Sequence, residues 1–276
     1  MAAAAKTNGN KLKKAEKEDV KEHVRLRAPV VYEIVRKEGD TELARPASSL
    51  WWSGIAAGLC IGFSVVAEAL LRTYLPDASW RPLVENLGYS VGFLIVILAR
   101  EQLFTENTIT AILPLMAERT SANLARVGRL WGIVFAANLA GALIFALFCT
   151  YTSAISEEVY GAMLDICRHM MENGRGEMFT RGIVAGWLIA ALVWLMPSAE
   201  GAEFPMITLM TYLIAAGDFT HVIAGSVEAF LLVAESELGA ARMFLDFTLP
   251  VLAGNVVGGT VLFALIAYAQ VREEMA

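Results

Sequence analysis

The chain has 276 residues, 57% of them hydrophobic and only 18% charged, with a mean hydropathy of +0.54. That balance excludes an ordinary soluble domain of this length and identifies a membrane protein. The formal net charge of -6 hides an asymmetry: all seven lysines lie before Gly39 and, with Arg25, Arg27, Arg36 and Arg45, eleven of the 22 basic residues precede the first apolar run.

Residues 1–27 are a polar, highly charged tail without the apolar core of a signal peptide, and their positive charge places this end in the cytoplasm. Residues 28–48 follow as a short amphipathic helix and linker, with Val30, Val31, Ile34 and Val35 set among charges. Six spans are then expected over residues 49–271: about Leu50 to Leu71, Leu83 to Arg100, Gly128 to Thr150, Phe179 to Met196, Phe204 to Val233 and Phe247 to Gln270. The connection after the second span carries Arg119, Arg126 and Arg129 and is cytoplasmic. The mixed or acidic loops Glu157 to Glu177 and Glu235 to Asp246 face outward. The loop from Pro197 to Glu203 is assigned inside although it has no basic residue. An even number of spans returns the short tail 272–276, with Arg272, to the cytoplasm. Cys60, Cys149 and Cys167 form no metal pattern, and no disulfide is expected of them.

Two halves, about residues 49–150 and 178–271, repeat short motifs in one order. Gly54 to Gly58 (GIAAG) returns as Gly182 to Gly186 (GIVAG), Phe104-Thr105-Glu106 as Phe219-Thr220-His221, and Asn138 with Gly141 as Asn255 with Gly258. Three spans per half is an odd number, so the second half enters the membrane inverted relative to the first. Transporters and channels with such repeats carry their solute path between them. The second span is short and the fifth long and interrupted, so both are read as broken helices. Asp218 and Thr220 are the expected caps of the half-helix after the second break, whose freed amides would form a pocket able to hold an anion.

The candidate path residues lie at these breaks. His221 is an ionisable residue inside an apolar segment, able to give a proton or a hydrogen bond to a weak-acid anion. Thr105, read as the partner of Thr220, supplies a hydroxyl, and Phe104 and Phe219 are expected as apolar gates. Asn138 and Asn255 sit deep in the third span of each half, where an amide needs partners and can pin a broken helix. Glu101, Asn107 and Asp218 are structural polar groups at the breaks, and Glu68 and Glu228 further carboxylates in or near the membrane. Pairing with Arg100 or with backbone amides is the expected role of these acids.

Leu103-Phe104-Thr105, the Phe219-x-His221 element and Gly254-Asn255-Val256-Val257-Gly258-Gly259 resemble the motifs of the formate/nitrite transporter family, and the similarity runs from about Leu50 to Tyr268. Within it, the charged N-terminal extension and the Arg-Pro before the first span resemble the YfdC-like branch. The resemblance implies an all-α, aquaporin-like protomer of six spans with the second and fifth broken, and a homopentamer with one path per subunit in the inner (cytoplasmic) membrane. It implies passage of formate, nitrite or a related small anion, with protons involved.

The chain departs from the family pattern in several places. Gly186 and Gly225 stand where family channels carry asparagines, which would make room and remove hydrogen bonds. Thr220 replaces a common glutamate, and no lysine follows Lys37, leaving Arg175 or Arg181 as the outer attractor of anions. No nucleophile and base pair, metal cluster, cofactor motif or nucleic-acid signature is present, so an enzyme is not expected. A neutral-solute pore with a structural histidine and a membrane scaffold or sensor are the alternative readings.

Overall fold

The computed structural model describes residues 25–275; of the expected charged tail, residues 1–24 lie outside the described residues, as does residue 276 at the other end. Described residues form an all-helical bundle. α1 (Ala28–Ala44) starts with Pro29 in its first turn, where the missing N–H costs nothing, and buries Val31, Tyr32, Val35, Gly39 and Leu43 on one stripe. α2 (Ala47–Tyr74) has 28 residues. At 1.5 Å per residue it is about 42 Å long, more than the roughly 30 Å of a hydrocarbon core.

α3 (Arg81–Glu85) and α4 (Ser90–Leu98) are joined by a turn whose Gly88 sits against the backbone of Ala67 and Glu68, a position a side chain would fill. The chain then leaves helical geometry until α5 (Asn107–Thr110) and α6 (Ile112–Ala117). α7 (Ser121–Tyr151) begins where the Thr120 hydroxyl accepts from the Asn123 amide, seven residues before the start read from hydropathy. The stretch read as an outer loop is largely α8 (Glu157–Met170), capped by Ser156 and burying Val159, Met163, Leu164, Cys167 and Met170 against α2 and the second half. Its mixed composition hid that stripe.

α9 (Arg175–Leu195) leads through a short 3₁₀ turn, Met196–Ser198, to α10 (Glu203–Ala216) and α11 (Val222–Ala234). α10 and α11 replace the single long fifth span, and at 14 and 13 residues each is about 20 Å long and too short to cross alone. The last span runs from α12 (Ala240–Arg242) through π-helical turns at Met243–Thr248 and Val257–Ala264 that flank α13 (Leu249–Val256), and ends in α14 (Leu265–Val271). By length and composition five helical stretches can cross a membrane: Ala47–Tyr74, Arg81–Leu98, Ser121–Tyr151, Arg175–Ser198 and Ala240–Val271.

Glycines set the two closest helix pairs. Gly58 of α2 faces Gly141 and the backbone of Asn138 on α7, while Gly186 and Gly182 of α9 face Asn255 and Gly254 on α13. In both pairs a Cβ would strike backbone, so the small residues act inside one chain. The two ends of the described chain meet at one end of the bundle, where Arg27 pairs with Glu274 at 3.2 Å and the Tyr32 and Tyr268 rings lie 5.9 Å apart.

Candidate functional site between two broken helices

The two breaks are built from the same bonds. At the end of α4 the amides of Ala99, Arg100 and Glu101 donate to the carbonyls of Ile95, Ile97 and Val96. At the end of α10 those of Gly217, Asp218 and Phe219 donate to Leu213, Ala215 and Ile214. Arg100 and Asp218 occupy the same left-handed position, with φ of 58° and 53°, which costs a non-glycine residue about 1–2 kcal/mol.

Beyond each turn a buried asparagine ties the chain down. Asn138 Oδ1 accepts from the Phe104 amide at 2.9 Å, and its Nδ2 donates to the carbonyls of Gly54 and Gln102, both at 2.8 Å. Asn255 Oδ1 accepts from the Val222 amide at 2.8 Å, and its Nδ2 donates to Gly182 at 2.8 Å and Thr220 at 3.0 Å. These bonds set the register: Arg100 corresponds to Asp218, Gln102 to Thr220, Leu103 to His221 and Phe104 to Val222. The motif match that set Phe104-Thr105 against Phe219-Thr220 is three residues out of step, because a repeated Phe-Thr pair coincided with the break without sharing its bonds.

The centre of the site is a 2.7 Å hydrogen bond between Thr105 Oγ1 and His221 Nε2, both residues buried. His221 itself caps α11, its Nδ1 accepting from the Ala224 amide at 3.2 Å. An Nδ1 that accepts carries no proton, so Nε2–H donates to Thr105 and the threonine hydroxyl keeps its own proton for another acceptor. Phe93 of α4 closes one side of the imidazole, edge to face at 5.0 Å.

The expected caps act elsewhere. Asp218 is paired with Arg181, which also donates to the Asp218 carbonyl at 3.1 Å, and Thr220 donates to the Met178 carbonyl at 2.8 Å. The Val222 and Ala224 amides are bonded to Asn255 and His221, so of the first three amides of α11 only that of Ile223 is left for the expected anion pocket.

A cavity of about 360 Å³ approaches from one side and is lined by Leu103, Glu101, Gln102, Glu106 and Asn107. α1 crosses it: Glu42 accepts from Gln102 Nε2 at 2.8 Å and Glu38 pairs with Arg100 at 3.3 Å, so Arg100 does not serve Glu101. Glu101 instead accepts from the Cys60 thiol at 3.6 Å. Asn107 Nδ2 donates to Gln102 Oε1 and the Leu103 carbonyl, bracing the loop. A second cavity of about 640 Å³ approaches from the other side, with Phe219, Thr220, Tyr89, Glu68 and Glu228 in its wall. Thr105 and His221 line neither and lie buried between elements that do.

Phe104 also lines neither cavity; its ring packs on Trp131 and Phe135 of α7, at 5.7 and 5.1 Å. Gly186 lies against the Asn255 backbone, and the space beside Gly225 is filled by Phe247 and Met170, so these glycines leave no widened path. Arg175 and Arg181, the expected attractors, are engaged with Asp246 and Asp218. Phe93, Gln102 and Tyr89 escaped the sequence reading because each is an ordinary residue in an apolar or loop context.

The model of the family described as formate/nitrite transporter matches residues 29–269. The chain belongs to the formate/nitrite transporter family. It is 45% identical over 249 residues to inner membrane protein YfdC of Escherichia coli (strain K12), covering 90% of this chain and 80% of that protein. It is 26% identical over 236 residues to the formate channel FocA of Haemophilus influenzae, covering 76% and 82%. Among solved structures, a pentameric formate channel with formate bound superposes with a TM-score of 0.72 at 21% identity, over 82% of this chain and 98% of that one. The fold is that of the family's channels, and the relatives are transporters and channels rather than enzymes.

Proposed function

We propose that the protein is a channel or transporter that passes small monovalent weak-acid anions, formate or nitrite among them, along a path through each protomer of a homopentamer. The carrying observation is the Thr105–His221 bond, buried between two cavities and held by two asparagine-pinned breaks. Leu103 and Phe219, on the walls of opposite cavities, serve as the apolar gates in place of Phe104. The solute meets the free Thr105 proton as a hydrogen-bond donor at the narrowest point. His221 acts by holding that hydroxyl. A proton on Nδ1 would break the α11 cap, so of its two expected roles the hydrogen bond is favoured over proton donation.

Residues 49–271 form the channel domain in this reading. Two inverted three-helix repeats make six spans, with α10 and α11 together as the fifth, and residues 28–48 cover the cytoplasmic mouth. Both termini face the cytoplasm across an inner membrane, which agrees with the meeting of Arg27 and Glu274 at one end. The test is flux of formate, nitrite, acetate, lactate and hydrosulfide into liposomes holding the purified protein, at several pH values. Saturable flux of one or more of them, reduced in Thr105→Val, supports the reading; equal leak with and without protein overturns it.

A further inference from the structure

The larger cavity has a wall on which every basic side chain is already engaged. Arg72 pairs with Glu85 at 3.3 Å, Arg168 with Asp165 and Glu237 at 2.9 and 2.6 Å, and His169 with Glu172 at 3.2 Å; Asp218 is held by Arg181. Two acids on that wall remain, Glu68 from α2 and Glu228 from α11. They are 6% and 7% exposed, and neither has an ion-pair or hydrogen-bond partner among the described residues. Tyr89, 6% exposed, brings to the same cavity a hydroxyl that is also without a partner among the described residues. The Cys167 thiol of α8, fully buried, is the remaining titratable neighbour of both carboxyls.

Two carboxyl groups withdrawn from water and facing one cavity need positive charge between them, from a basic side chain, a metal ion or a proton. The basic side chains of the wall are paired with other acids, Arg72 with Glu85 so that it reaches Glu68 only through space, and no group of three or more His, Cys, Asp or Glu is placed to hold a metal ion among the described residues. A proton remains. His221, with both ring nitrogens bonded, is a poor source of one.

We infer that Glu68 and Glu228 form a proton-exchange site that protonates the weak-acid anion in this cavity before it reaches Thr105, with the Tyr89 hydroxyl orienting it. The inference rests on the transport reading above. In the transfer the carboxyl O–H bond breaks and an O–H bond forms on the anion, leaving a carboxylate and a neutral acid. The carboxylate then takes a proton from a hydronium ion arriving from the bulk solution, which leaves water, and no electrons change hands. A neutral acid is indifferent to the acidic wall that repels the bare anion, and it loses less solvation between Phe219 and Leu103.

The experiment compares formate flux in liposomes for wild type, Glu68→Gln, Glu228→Gln and the double variant, from mildly alkaline to acidic pH. The double variant is expected to lose flux at neutral pH by on the order of tenfold or more. It should converge on wild type in acid, where bulk water already protonates the solute. A loss of equal factor at every pH, or an unchanged profile, overturns the inference. So does a wild-type flux that follows the identity of the alkali cation at fixed pH, since the pair would then hold a metal cation. Infrared difference spectra across the pH range supply a reading independent of flux: a carboxylic-acid carbonyl band should titrate in wild type and weaken in each folded single variant. Its absence from wild type also overturns the inference. Wild-type protein that shows the band but passes no weak acid would defeat the transport reading instead.

Discussion

At the residue scale the site depends on hydrogen bonds with few substitutes. Thr105→Val keeps the volume and removes the hydroxyl, leaving His221 Nε2–H without its acceptor and the solute without its donor. A hydrogen bond of this kind is worth about 1–1.5 kcal/mol, so flux should fall about tenfold while Thr105→Ser retains most of it. Initial rates in liposomes check this, and equal rates for valine and threonine would show that the hydroxyl does not touch the solute. Asn255→Leu leaves the Val222 amide and the Gly182 and Thr220 carbonyls without their partner. At about 1–3 kcal/mol for each buried group left unmade, stability should suffer more than selectivity, and Asn138→Leu should behave alike. Thermal unfolding in detergent reads this directly; a normal midpoint with altered selectivity would place the Asn255 side chain on the path.

At the element scale the glycine contacts and the Arg168–Glu237 ion pair give two further expectations. Gly186→Asn restores the residue type that the family resemblance places there, yet its Cβ would enter the Asn255 backbone and force α9 from α13. Overpacking of this kind costs about 1–3 kcal/mol, so the variant should lower the unfolding temperature rather than add a polar contact to the path. Beyond the end of α11 the hydrogen bond from Arg168 holds the Glu237 carboxyl below its usual range. A group whose folded value is depressed contributes stability that is complete above its unfolded value, about 4.3 for a glutamate, and is lost as pH falls through the lower folded value. The contribution of this pair to the thermal midpoint should therefore be full and independent of pH near neutrality and be lost in strong acid, and Arg168→Gln should reduce that fall. The sequence made these elements legible unevenly. Apolar length located the helices able to cross and the interruption near Asp218, because span length is set by the bilayer. The paired asparagines were legible since a deep amide must be bonded. The register of the breaks was not, because it is set by bonds from Asn138 and Asn255 across the fold rather than by the letters Phe-Thr. His221 as a cap and Phe104 turned toward Trp131 were hidden for the same reason.

At the scale of the whole molecule the remaining expectation concerns assembly and orientation. Large apolar side chains are exposed on several elements, among them Trp52 and Phe63 on α2, Ile144 and Phe148 on α7, and Val261 and Ile266 near the C-terminus. In a membrane these faces meet lipid or a second subunit, and either partner would satisfy an apolar surface. The proposed homopentamer covers part of them with neighbouring subunits. Native mass measurement in mild detergent should thus return five chains, and a purely monomeric or tetrameric mass would remove the pentamer from the proposal. The proposed cytoplasmic placement of both ends rests on the Arg27–Glu274 pair, which puts both described ends on one side of the bundle, and on the lysines concentrated before Gly39. Single cysteines introduced at Leu26 and Met275, in a chain with Cys60, Cys149 and Cys167 replaced by serine or alanine, should react with an impermeant maleimide only after the inner membrane is opened. Labelling of both sites in intact spheroplasts would invert the topology. It would move the cavity lined by Glu68 and Glu228 to the cytoplasmic side, so that weak acids would take up their proton while leaving the cell instead of while entering it.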